Sequence, residues 1–115
     1  MALAEFLDSF YSAAQQADKM AMLEAEPRMS GDARLDALLG AIAEYLAKQH
    51  RLPHVPAWVG GADRVLAEPW FTSVDDSDGM REYLALMSPA EFIHHNIFTE
   101  PQPLRRARLR PSREV

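Results

Sequence analysis

Residues 32–49, DARLDALLGAIAEYLAKQ, decide the fold. Leu35, Leu38, Leu39, Ile42 and Leu46 recur at three- and four-residue spacing, the repeat of one helix face, while Asp36, Glu44 and Lys48 fall off that stripe. The spacing predicts a helix over 32–49 with one face for burial and a polar face for solvent. Ser30, Gly31 and Asp32 precede it. A serine or aspartate there accepts the backbone N–H groups that the first turn leaves without partners, and Asp36 adds negative charge near the positive end of the dipole. Gly40 sits in mid-helix, where glycine costs about 1 kcal/mol relative to alanine. Its missing side chain is expected to let another helix approach.

Shorter segments flank this helix. Leu3, Phe6, Leu7 and Phe10 predict an amphipathic helix over 3–14 that packs on 32–49. Asp18 offers an N-cap for a helix over 19–26, carrying Met20, Met22 and Leu23 and ended by Pro27. The methionines suit gap-filling in a core. HRLPHVPAWVGG (50–61) cannot continue a helix and predicts a compact loop with one turn around Ala57 and Trp58. One or two further turns fit 62–67 before Glu68-Pro69, and Trp70-Phe71 follows. Both tryptophans lie in proline-framed loops, where they can wedge the loops onto a core or line a ligand.

Asp75-Asp76-Ser77-Asp78-Gly79 resembles a calcium loop only superficially. With Gly79 as the turn glycine, the first and twelfth ligand positions fall on Val74 and Ala85, so the stretch is expected to be a turn capping a helix over 80–87 with Tyr83, Leu84 and Met87 inward. Ser88-Pro89-Ala90-Glu91 has the form of a capping box and opens a helix over 88–95 that buries Phe92. Asn96 suits a left-handed stop, turning Ile97 and Phe98 back to the core. Thr99-Glu100-Pro101-Gln102 repeats the capping pattern before a last helix through about residue 109. No segment has the two-residue period of a strand. The expected fold is therefore all-α: a compact bundle of five to seven short helices around a central helix 32–49, with one domain over 1–104 and a basic tail over 105–115.

Composition narrows the chemistry. With 115 residues the chain suits one domain, and with no cysteine it has no thiol nucleophile, disulfide or thiolate metal site. Glu5 and Asp8 stand where a secretory signal needs positive charge, and no apolar run reaches membrane-spanning length, so a cytoplasmic location without membrane contact is expected. Net charge is −5, unevenly spread. Seven basic and sixteen acidic residues precede position 105, whereas Arg105, Arg106, Arg108, Arg110 and Arg113 face only Glu114 beyond it. Such a tail is either a solvated terminus or an arm for nucleic acid or an acidic partner.

No metal, cofactor or catalytic residue is expected. His50 and His54 are separated by the helix-breaking Pro53, and adjacent His94 and His95 would project about 100° apart on a helix. Glu91-Phe92-Ile93-His94 matches one half of a di-iron bundle motif, which requires two. No nucleophile elbow or phosphate loop is present.

Gly31, Asp32 and Arg34 leading into the central helix, Pro56-Ala57-Trp58, Glu68-Pro69-Trp70-Phe71, and Ser88-Pro89 with Phe92, Asn96, Ile97 and Phe98 together resemble a group of small, largely uncharacterised bacterial proteins found beside toxin-antitoxin or helix-turn-helix regulator genes. The resemblance covers nearly the whole chain and implies an all-helical, antitoxin-like or regulatory protein. Members tend to carry arginines where this chain has His94 and His95, which would make positive charge there depend on pH. The expected function is a non-enzymatic protein-binding module whose partner is a protein, such as a toxin encoded nearby. The alternatives are a transcription accessory contacting DNA through the tail and a small-molecule binder. Trp58, Trp70, Phe71, His94, His95, Asn96, Arg105, Arg106 and Arg108 are the candidate contact residues, with the His94-His95 edge expected to face outward.

Overall fold

The computed structural model describes residues 3–104. In chain order these form α1 (Leu3–Ser12), α2 (Gln16–Glu24), α3 (Ala33–Gln49), 3₁₀ turns at Ala57–Gly60 and Ala62–Arg64, β1 (Trp70–Phe71), α4 (Asp78–Met87), α5 (Ala90–Ile93) and β2 (Ile97–Phe98). The chain is mostly helical, as its periodicity predicts. Unexpectedly, β1 and β2 pair in parallel, Trp70 opposite Ile97 and Phe71 opposite Phe98. Two residues per strand are too few for alternation to show in a sequence. Among the described residues no helix is long and apolar enough to cross a membrane.

Both ends of α3 are closed by identifiable contacts. Asp32 Oδ1 accepts the N–H groups of Arg34 and Leu35 at 3.0 and 3.4 Å, after Gly31 turns the chain at φ +89°. At the other end Arg51 adopts φ +54°, and the N–H groups of Arg51 and Leu52 donate to the carbonyls of Lys48 and Ala47. This is a Schellman stop with arginine in the place glycine usually takes.

Burial on α3 departs from the expected stripe. Ile42 and Leu46 are buried, Leu38 and Leu39 half-buried, and Leu35 exposed, while Ala37, Ala41, Ala43 and Ala47 join the core. Asp36 and Glu44, expected in solvent, are buried, and only Lys48 of the polar set is exposed. The small residues admit neighbours close to the helix axis on more than one side, which encloses the carboxylates. Leu7, Phe10 and Leu23 from α1 and α2, Val59, Phe92 and Ile97 complete one core cluster with α3.

Four local expectations are corrected by competing hydrogen bonds or by packing. α2 starts at Gln16, so Asp18 lies in its first turn instead of capping it. Ser77 caps α4 by accepting from the Met80 N–H, and Asp75 Oδ1 accepts from the Ser77 N–H, but of the three side chains expected inward only Leu84 is buried. Ser88 does not cap α5. Its hydroxyl instead meets the Leu84 and Thr99 carbonyls at 2.5 and 2.9 Å and accepts the Thr99 N–H at 2.8 Å, clasping the end of α4 to the strand exit. Thr99 is therefore engaged, and residues 99–104 form no helix. The remainder of the expected last helix lies outside the described residues.

Candidate functional site

The most organised chemistry is a polar seam along α3, where Asp36, Gly40 and Glu44 follow one another at four-residue spacing and so share a face. Gly40 provides the space. A Cβ there would stand 3.0 Å from Arg64 Cβ, 3.0 Å from His95 Cε1 and 3.2 Å from His95 Nδ1. The neighbours it admits are thus an arginine on a 3₁₀ turn and a histidine after α5, not another helix.

His95 is 2% exposed, which corrects the expectation of an outward-facing pair. The tight turn after α5, completed by Asn96 at φ +66°, points the ring inward. His95 Nδ1 donates to the Arg64 carbonyl at 2.5 Å, and Nε2 shares a hydrogen bond with Glu44 Oε1 at 3.0 Å. Both ring nitrogens are therefore engaged by oxygen, which fixes the orientation of the imidazole against Glu44. His94, exposed as expected, donates through Nδ1 to Glu44 Oε2 at 2.7 Å, and Lys48 Nζ lies 3.5 Å from the same oxygen. Burial raises the Glu44 pKa, but the hydrogen bonds from His94 and His95, reinforced by their charge, more than offset it and hold the carboxyl below its ordinary range.

Arg64, 1% exposed, extends the seam to the start of α3. Nη1 donates to the Asp36 carbonyl at 3.2 Å, while Nη2 donates to the Pro27 carbonyl at 2.8 Å and Glu26 Oε2 at 3.1 Å. The guanidinium carbon lies 4.9 Å from the centre of the Trp58 ring, and Nε has no hydrogen-bond partner among the described residues. Asp36 accepts from the N–H and hydroxyl of Ser30, both at 2.9 Å. The Ser30 backbone hydrogen bond is the main influence lowering the Asp36 pKa, against the effect of burial.

Arg64 also brings two expected site residues together: its guanidinium stacks on Trp58 and its carbonyl holds His95. Trp58 is half-buried and donates Nε1–H to the Leu23 carbonyl at 2.8 Å. Trp70 and Phe71 belong to a separate cluster around β1 and β2. There the Trp70 N–H donates to the Asn96 carbonyl at 3.0 Å, and Phe71 stacks on Phe98 with centroids 4.8 Å apart. Arg34 stands 4.9 Å from the Trp70 ring and Arg81 5.0 Å from that of Phe71. Asn96 Nδ2 donates to the Leu66 carbonyl at 3.0 Å. Arg105, Arg106 and Arg108 lie outside the described residues.

The other histidines stand apart from one another in role. His50 meets Phe10 edge-on and stacks on Tyr11, and burial followed by the charge of Lys19 lowers its pKa. His54 pairs with exposed Glu24 at 2.6 Å. Among the described residues no three histidines or carboxylates are arranged to hold a metal.

Among the described residues, two surfaces lack polar organisation. One is a half-enclosed apolar cavity of about 170 Å³ where α1, α2 and α3 meet Trp58. The other is the outer side of α4, where Tyr83 is 46%, Leu86 82% and Met87 46% exposed. Sequence reasoning missed Asp36, Glu44 and Arg64 as members of a site. The available signal was Gly40, a costly residue flanked at four-residue spacing by two carboxylates. Comparison with protein-family models, curated proteins and solved structures finds no match to this chain.

Proposed function

We propose that this chain is a compact helical bundle built around α3 and acts in the cytoplasm as a non-enzymatic, antitoxin-like module that binds a partner protein of basic surface. The exposed side of α4 is the observation that carries this reading. Tyr83, Leu86 and Met87 occupy positions i, i+3 and i+4, so they form one continuous apolar stripe of the kind that marks contact surfaces. Glu82 and Asp78 flank that stripe on the helix, and Asp75 and Asp76 lie in the turn leading into it. The only basic residue of α4, Arg81, is directed to the Phe71 ring and the Asp76 carbonyl. An apolar patch with an acidic rim is complementary to a basic amphipathic surface, which its charge would steer into place. The resemblance to proteins encoded beside toxin genes supplies the partner to try first.

The test is calorimetric titration with the product of the neighbouring gene. Leu86→Glu should leave the helical signal and melting temperature unchanged but weaken binding at least tenfold, and added salt should weaken the wild-type complex. Unchanged affinity in this variant would remove α4 from the interface. A wild-type dimer dispersed by the same substitution would instead assign the face to a second copy of the chain. The uneven charge favours a second reading, DNA contact through Arg105, Arg106 and Arg108, although the acidic body opposes it. That reading requires a steeply salt-dependent affinity for DNA that disappears when residues 105–115 are removed.

A further inference from the structure

We infer that the cavity between α1, α2 and α3 is a binding site for a compact apolar molecule, such as a single aromatic ring or a short branched alkyl group. Phe6 of α1, Leu23 of α2, Leu39, Ile42 and Ala43 of α3, and Trp58 form its walls. Its volume of about 170 Å³ is close to that of a dry cavity of roughly 150 Å³ that accepts benzene in another protein, so one ring with a small substituent fits. The lining also sets the polarity of the ligand. Among the described residues that line it, the only polar side-chain group, the Trp58 indole N–H, is already donated to the Leu23 carbonyl, and the Pro27 carbonyl accepts from Arg64. A polar or charged ligand group placed inside would therefore lose its water without gaining a side-chain partner.

The walls are held before any ligand arrives. Trp58 is fixed at its nitrogen by Leu23 and across its face by the buried Arg64 guanidinium, while Leu23, Ile42 and Ala43 belong to the core cluster. Ala43 is the position where a larger side chain would close the space from within. This site does not use α4, so it stands or falls independently of the protein-binding reading.

Titration with toluene, followed by the methyl resonances of the full chain, tests the assignment. Saturable shifts are expected at Leu23, Leu39 and Ile42 but not at Leu86, together with a higher melting temperature at saturation. Hydroquinone, a ring of similar size with two hydroxyls, should bind at least tenfold more weakly. Ala43→Leu should remain folded and lose the toluene response. If its helical signal falls, Leu39→Phe provides the same filling at a half-buried position. Absent or unsaturable shifts, shifts centred on Leu86, or a response unchanged in the folded filling variant would overturn the inference.

Discussion

Gly40→Ala separates two effects of opposite sign. In a helix with open space around it, the substitution should stabilise by about 1 kcal/mol, because alanine restricts the unfolded chain and favours the helix. Here the added methyl would sit 3.0 Å from Arg64 Cβ and 3.0 Å from His95 Cε1, several tenths of an ångström inside ordinary contact. Neither neighbour retreats freely. Arg64 Cβ is one bond from the backbone of its 3₁₀ turn, and the His95 ring is held at Nδ1 by the Arg64 carbonyl and at Nε2 by Glu44. Overpacking a site of this kind costs about 1–3 kcal/mol. After the helix gain is subtracted, a net loss of up to about 2 kcal/mol is expected, which at about 4 °C per kcal/mol is a fall of several degrees in Tm. A double-mutant cycle with His95→Ala removes two of the three close atoms. In that background Gly40→Ala should be clearly less harmful, with a coupling of about 1 kcal/mol. Urea melts of the four proteins measure it. A rise in stability for Gly40→Ala alone, or a coupling near zero, would refute the account of Gly40 as the space into which His95 packs.

His95→Ala should itself destabilise by about 2–4 kcal/mol in urea melts, since it removes a buried ring hydrogen-bonded to both Glu44 and the Arg64 carbonyl, whereas exposed His94→Ala should stay within about 1 kcal/mol. Glu44 is held below its ordinary pKa of 4.5, so its contribution should be complete above that value and disappear as pH falls through the lower folded value. Melts from pH 2 to 6 should accordingly show a steeper acid loss for wild type than for Glu44→Gln. His50, lowered from 6.5, has the opposite preference for the neutral form and should subtract stability as pH drops below that value, a slope that His50→Phe abolishes. Phe10→Ala and Phe92→Ala, at fully buried positions, should each cost about 3–5 kcal/mol by the same measurement.

How far the sequence reveals this fold depends on which forces act locally. The helix over 33–49 was legible because a 3.6-residue repeat and an aspartate cap are local signals, and the left-handed Asn96 was legible because few residues adopt that conformation without strain. Ser88 shows where such reasoning stops. A serine followed three residues later by glutamate has the form of a capping box, yet the same hydroxyl can satisfy the Leu84 carbonyl and the Thr99 N–H once the strands bring position 99 near. A long-range partner outcompeted the local one. Tyr83 and Met87 failed for a different reason: periodicity marks an apolar stripe but does not say whether this chain or another molecule covers it.

The seam explains why buried charge on α3 escaped notice, and it marks where the chain tolerates little change. Hydropathy assigns Asp36, Glu44 and Arg64 to solvent because each is costly to bury alone. While Asp36 is held by nearby Ser30, the histidines on Glu44 and the carbonyls and carboxylate on Arg64 come from segments 28 to 51 positions away, and only the assembled fold makes burial tolerable. Once assembled, these groups act as a connected set. Arg64 joins the end of the 24–27 segment to α3 and Trp58, and its own carbonyl passes the connection through His95 to Glu44. Truncating any one member leaves another buried polar group without its partner, so this region can change little without losing stability. α4 has the reverse character. It buries Leu84, half-buries Met80 and leaves Tyr83, Leu86 and Met87 exposed, so substitutions at those three positions should cost little stability while the seam and the α3 core continue to hold the fold.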